Sequence, residues 1–324
     1  MRTVFRSFVV LAALGFGLAA AQTPLSIATG GTGGVYYPVG GGYAQIIDRF
    51  VDGYTATVEA TNASVDNVAF IARGDADLAL ALADTVLAAY QGTGNFGPGG
   101  DLPQLPNLRA ITVAYTNAVH VITRADSDIH SLADLRGKRV SVGAPGSGTE
   151  VSANTILEAV GISYDDFAAV QRLGANETAD ALRDGAIDAG FWSGGMPTGA
   201  VMSLAETHAI RLVPISDEEL ELIRAADPTL IRYTFPADGY RGVPETPSIG
   251  TPNLLIVAAE MDEDLAYRFT KALFENIDVV RNIHPSANET TPETALDSPI
   301  PLHPGAIRYY EEIGLTVPDH LKVD

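Results

Sequence analysis

The sequence predicts an α/β fold of two lobes joined by a pair of hinge strands. Three observations carry this reading. Each half holds a glycine-rich loop after a strand-like run: Gly30-Gly31-Thr32-Gly33-Gly34-Val35-Tyr36-Tyr37-Pro38 after 25–28, and Gly143-Ala144-Pro145-Gly146-Ser147-Gly148-Thr149-Glu150 after 139–142. Helical spacing follows each loop, at 43–50 and 151–160. The halves also rhyme further on. Residues 68–80 and 179–192 both read as a helix closed by a glycine (Gly74, Gly185), an aspartate, and a short buried strand. Finally, two longer apolar strands, 110–122 and 254–258, look like connections between lobes.

The first 21 residues read as a secretory signal. Arg2 and Arg6 form the charged start, 8–18 the apolar stretch, and Ala19-Ala20-Ala21 the cleavage site, so the mature chain is expected to begin at Gln22. With no cysteine there is no lipid attachment site and no disulfide. A freely diffusing protein of an extracytoplasmic space, most simply a bacterial periplasm, is expected.

The remaining length of about 300 residues corresponds to two domains of ordinary size. One lobe is assigned to 22–120 plus 254–324 and the other to 121–253, the two crossing strands acting as the hinge. Strands alternating with helices imply mostly parallel sheets, whose ligands sit beyond the carboxyl ends of the strands. Residues 92–106 and the tail 297–305, rich in glycine or proline, read as surface loops.

The chain carries a formal charge of −20, and without Arg2 and Arg6 it has 18 basic against 40 acidic residues. That balance argues against nucleic acid and against an anionic membrane surface. Catalytic signals are poor. The six histidines are scattered singly, and neither a zinc-binding His-Glu-x-x-His helix nor a Gly-x-Ser-x-Gly elbow occurs. The loop at 143–150 lacks the lysine of a nucleotide-binding loop, and 30–34 lacks dinucleotide spacing. No enzyme, cofactor or metal is expected.

What remains is anion binding. A strand, a glycine-rich turn and a helix start present free backbone N–H groups, backed by about half a positive charge at the helix end. Two such cradles, one per lobe, suit one small ligand held between them. Candidate contacts are Thr32, Gly33 and Tyr36 in the first cradle, and Gly146, Ser147, Gly148 and Thr149 in the second. Ser147 with Glu150 also fits a helix capping box. Thr61 and Ser64, in the polar run after strand 57–60, serve either a ligand or a helix cap. Asp84 accepts hydrogen bonds from a ligand amino group or caps the next helix. Trp192, the only tryptophan, lies in the core or in the cleft, and Gly195 belongs to the loop that follows it.

The residues named resemble one family, the TAXI solute receptors of tripartite ATP-independent periplasmic (TRAP) transporters. The resemblance runs from Leu25 to about Gly314. It rests on Gly33-Gly34-Val35-Tyr36-Tyr37-Pro38, Asp134-Leu135-Arg136-Gly137-Lys138-Arg139-Val140, Gly146-Ser147-Gly148-Thr149, and Pro301-Leu302-His303-Pro304-Gly305-Ala306 with Tyr309-Tyr310. It implies a class II periplasmic binding protein fold, a glutamate- or 2-oxoglutarate-like ligand, and delivery to the small and large membrane subunits of a TRAP permease; the same fold also serves ATP-driven (ABC) importers and two-component sensors, and a monomer is expected. By position, the family's ligand loops correspond to 32–36, 61–64, 82–84, 145–149 and 192–196. Two departures stand out. The family often has Thr-Gly-Gly-Ser where this chain has Thr61-Asn62-Ala63-Ser64, and a polar residue where it has Leu82. An apolar wall in place of a hydrogen-bonding side chain alters which ligand end is accepted.

Overall fold

Alternating apolar runs and helical faces build the chain from the N-terminus as repeated strand–loop–helix units. The computed structural model describes residues 22–323; the expected signal at 1–21 lies outside the described residues. The first half contains β1 (Thr23–Ala28), α1 (Tyr36–Phe50), β2 (Tyr54–Glu59), α2 (Ser64–Arg73), β3 (Leu78–Leu82), α3 (Ala83–Gln91) and the long β4 (Leu108–Arg124). The pattern then recurs as β5 (Arg139–Ser141), α4 (Gly148–Ala159), β6 (Ala169–Gln171), α5 (Ala175–Arg183) and β7 (Ala189–Gly194). After α6 (Gly199–Thr207), β8 (Ile210–Leu212), α7 (Asp217–Ala226) and β9 (Ile231–Phe235), the long β10 (Thr246–Ala258) leads into α8 (Glu263–Glu275), α9 (Asp278–Arg281) and α10 (Pro304–Glu312).

The strands form one path in the order β2-β1-β3-β10-β4-β7-β5-β6, with β8 on β4 and β9 on β10. β1 is parallel to β2 and β3, and β5 is parallel to β6 and β7. β4 and β10 are antiparallel to each other and to the strands flanking them. These two strands run through both lobes. The largest apolar core draws on residues 25–115 and 254–321; two others lie within 118–249.

Three local expectations are corrected. Helix α1 starts at Tyr36, well before residue 43. Gly40 and Gly42 disguise its first turns, and they are there for close packing: a Cβ on Gly40 would stand 2.4 Å from Thr29 Cγ2. Pro38 sits in the first turn, where a missing N–H is harmless. Strand β10 begins at Thr246 rather than 254, despite Pro247 and Pro252. The tail at 297–305 is not a surface loop. Ser298, Ile300, Leu302 and His303 are buried, and the backbone pairs with Ala110 through Ala110 N–H to Pro301 O (3.0 Å) and His303 N–H to Ala110 O (2.9 Å).

Candidate functional site: an interlobe cleft

The carboxyl ends of β1, β2 and β3 face those of β5, β6 and β7 across a cleft of about 520 Å³. Loops from both lobes line it: 30–36, 60–64 and Leu82 on one side, and 144–145, 147–149, 172–177 and 192–194 on the other, with Asn117 of β4 also in the lining. Of the twelve residues singled out from the sequence, Thr32, Gly33, Tyr36, Thr61, Ser64, Ser147, Gly148, Thr149 and Trp192 border this space, while Asp84, Gly146 and Gly195 do not.

Those three sit where the lobes meet. Gly146, at φ +75°, turns its carbonyl to the start of α2 and accepts the Val65 and Asp66 N–H groups (3.1 and 3.3 Å). Asp84 falls in the first turn of α3 rather than in a loop, and Ser152 of α4 donates to its Oδ2 at 2.8 Å. A Cβ on Gly195 would lie 2.7 Å from Ser286 Oγ and 2.9 Å from the Tyr115 ring, so its bareness serves packing between lobes. Ala200 N–H also reaches Gly33 O (3.3 Å). These bonds link the two lobes in a closed arrangement.

At the second cradle, Ser147 is the N-cap of α4. Its Oγ accepts the Glu150 N–H (3.2 Å) and donates to Ala144 O (2.6 Å). The Glu150 carboxylate does not return to complete a capping box but pairs with Arg172 at 2.5 Å. The Gly148 and Thr149 N–H groups precede the first intrahelical bond and have no acceptor among the described residues. Thr149 Oγ1 accepts the Ser193 N–H (3.2 Å), tying α4 to the end of β7. The Ser193 hydroxyl is buried against the cleft without a partner among the described residues. In the first cradle, the Tyr36 hydroxyl donates to Asn253 Oδ1. Asn253 Nδ2 in turn donates to Tyr115 O and to Asn117 Oδ1, both at 2.8 Å, where the β4–β10 register slips between Pro252 and Leu254.

The Trp192 indole is fixed from behind. Its Nε1–H donates to Thr198 Oγ1 (3.1 Å), whose own proton goes to Gly195 O (2.8 Å). His120 Nδ1 faces two carbonyls, Ala118 O (2.9 Å) and Trp192 O (3.2 Å), so Nδ1 carries the proton. Its Nε2 accepts from the Tyr240 hydroxyl (2.7 Å), which accepts the Thr198 N–H (2.9 Å). Burial pushes the His120 pKa down to about 4, so the ring is a neutral strut.

Sequence reasoning missed the wall at 172–177. The internal repeat held the signal: the β6–α5 loop is the counterpart of the β2–α2 loop, which had been singled out. This wall supplies the only charged side chains of the lining, Arg172 and Glu177. Asn117 was missed as well, because a polar residue inside an apolar strand looks like an interruption rather than a floor.

A model of the NMT1-like family matches residues 27–314. Among solved structures, the chain is similar to PhnD1 from Prochlorococcus marinus in complex with methylphosphonate (12% identity, TM-score 0.54, covering 82% of this chain and 90% of that one). It is also similar to a Xanthomonas citri protein bound to ATP (15%, 0.51, 93% and 100%). A third is a putative L-cystine ABC transporter from Listeria monocytogenes (15%, 0.50, 81% and 94%). At these identities the likeness concerns the fold, two α/β lobes around a cleft. Because the family model spans nearly all the described residues, the protein belongs to the NMT1-like family, a family of periplasmic solute-binding proteins.

Proposed function

We propose that this solute-binding protein holds a small amino acid or organic carboxylate in the interlobe cleft and passes it, in the closed form, to a membrane importer. One observation carries the reading: a helix from each lobe, α1 and α4, begins on the same cleft, and the Tyr36, Gly148 and Thr149 N–H groups there have no acceptor among the described residues. A carboxylate bound to both helix starts is stabilised fully only after closure, and that difference in affinity shifts the population to the closed form. The ligand contacts we assign are Thr32, Gly33, Tyr36, Thr61, Ser64, Ser147, Gly148, Thr149 and Trp192.

The charged side chains of the lining are one cation and one anion, Arg172 and Glu177, and Arg172 already pairs with Glu150. A zwitterionic amino acid suits that balance better than a dicarboxylate, whose second charge would have no counterpart. Leu82 adds an apolar wall, which favours a ligand with an uncharged tail over glutamate.

Two importer classes compete. The four sequence motifs favour a TRAP-type permease. The likeness to a putative L-cystine ABC transporter supports the ATP-driven class, and that reading has the better support overall. An ATPase gene beside this one would favour the ATP-driven importer, and a large ion-coupled permease gene the other.

A thermal-shift screen of amino acids, 2-oxo acids and dicarboxylates tests the ligand class. A true ligand at a hundred times its dissociation constant adds about 2.7 kcal/mol of stability. Binding should also reduce the radius seen by solution scattering. Silence across the whole screen would remove the proposal.

A further inference from the structure

Asp84 is the only buried acid among the described residues. It opens α3 in the first lobe and lies outside the cleft lining. Its Oδ1 accepts from Thr85, through the backbone N–H and through Oγ1 (3.0 Å). Its Oδ2 accepts the Ser152 hydroxyl, and Ser152 belongs to α4 of the second lobe. The bond therefore crosses the seam between lobes, and a hinge opening at that seam would break it.

Among the described residues no cation balances this carboxylate. On α2, Arg73 is paired with Asp75, and Asp66 faces Gly146. On α4, Glu150 is turned to Arg172 and Glu158 is exposed. The strands β3 and β10 carry no charged residue. The remaining titratable groups facing Asp84 are Tyr36 of α1, which burial keeps as the neutral phenol, and Asp227 at the end of α7, whose charge makes ionisation of Asp84 less favourable.

We propose that Asp84 is a proton-taking latch: closing the lobes binds one proton at its carboxyl group, and the acid so formed holds α3 to α4 through Ser152. This rests on the hinged-receptor reading above. The proton comes from solvent and joins Oδ2; the Ser152 hydroxyl, which donates to Oδ2 in the ionised form, turns to accept from it, Oδ1 keeps its two bonds from Thr85, and no other covalent bond changes. Opening exposes the group to water, where an ordinary aspartate ionises above about pH 4. In the closed form burial pushes its pKa up to about 6. Between those values closure takes up a proton, so acidification favours the closed form and raising the pH favours the open one.

The chain has no cysteine, so Tyr37→Cys and Met202→Cys, exposed and one on each lobe, accept a pair of distance labels. The ligand-free protein is measured at pH 7.5 and pH 5. The closed-to-open ratio should rise about tenfold on acidification, as the two ionisation ranges require. Asp84→Asn should be insensitive to pH and as closed at pH 7.5 as the parent is at pH 5. Ser152→Ala should lower the closed fraction at both values, and it provides the test should Asp84→Asn fold poorly. Two populations whose ratio ignores pH, or the same pH response in Asp84→Asn, would overturn the latch while leaving the hinge intact. A single distance at every pH would remove the hinge, and the latch with it.

Discussion

Replacing Gly148 by alanine should open the cleft while leaving both lobes folded. Gly148 is the first residue of α4, and a Cβ there would stand 2.5 Å from Leu82 Cδ1 and 2.6 Å from Ser64 Oγ, both on the opposite lobe. Neither neighbour yields cheaply. Leu82 and Ser64 are 2% and 1% exposed, and Ser64 Oγ holds the Leu82 N–H at 3.1 Å. Overpacking of this kind costs about 1–3 kcal/mol. The cost falls on the closed state alone, so it appears as a loss of ligand affinity of about 5–150-fold. Within α4 itself, alanine favours the helix by about 0.5–1 kcal/mol over glycine. The ligand-free melting temperature should therefore stay level or rise while affinity falls. Calorimetry with the compound that stabilises the parent most reads the first number, and interlobe label distances read the opening directly. Adding Leu82→Ala removes one of the two close contacts and should restore closure in part, the Ser64 contact remaining. Unchanged affinity in Gly148→Ala, with the labels still reporting a closed protein, would refute the geometry of the seam.

Three further outcomes follow from single sites. Ser193→Ala removes a buried hydroxyl that no protein group satisfies. It should leave ligand-free stability unchanged or higher and weaken binding by about 0.5–3 kcal/mol, depending on whether the ligand group it meets is charged; equal affinity in titration would show that no ligand reaches it. Ala63 is held at φ 77°, ψ −141°, a conformation that only glycine adopts freely. Ala63→Gly should raise stability by roughly 1 kcal/mol in urea denaturation, and a loss would mean the surrounding bonds, not the strain, dominate. His120 stays neutral in the fold down to about pH 4, whereas its unfolded form is protonated below about 6.5. Above that range neither state is charged. As pH falls through it the unfolded state gains the proton first, so up to about 3 kcal/mol of stability is lost between pH 6.5 and 4. His120→Gln should flatten this part of the pH profile, and an identical slope would place the acid sensitivity elsewhere.

Most of the fold was legible because period and punctuation agree. The glycine closing α2 has the left-handed conformation expected of a helix stop. The crossing of β4 between lobes shows as a long apolar run. The failures share one cause: tertiary packing reversed what a local residue signals. Pro247, Gly250 and Pro252 break a strand in isolation, yet β10 tolerates them because it is held on both sides, by β4 and by β9 or β3. The tail at 297–305 looks like a loop by composition, but Ile300 and Leu302 reach the core and His303 caps α10, its Nδ1 accepting the Gly305 N–H at 3.2 Å. Such docking depends on a surface that no window of sequence contains.

The candidate site shows a different limit. Sequence position identifies which loops end strands and therefore face the cleft. It does not separate a loop group that meets a ligand from one that meets the other lobe, since both are small or polar residues at helix starts. Gly146 and Gly148 are two residues apart in one loop. The first offers its carbonyl to the N–H groups of α2, and the second leaves its N–H toward the cleft without a partner. The same division separates Asp84, bonded to Ser152 at the seam, from Ser64, which borders the cleft. In a clamp the two kinds of contact are energetically coupled, because seam bonds form only in the state that a ligand stabilises. Substitutions at the seam should therefore change affinity without altering selectivity among ligands, and substitutions on the cleft wall should change both. Comparing Gly195→Ala, which overpacks the seam against Ser286 and Tyr115, with Ser193→Ala on the cleft wall across a series of amino acids separates the two: a uniform loss for the first and an uneven one for the second is the expected pattern. Uneven losses in both would mean that Gly195 touches the ligand itself.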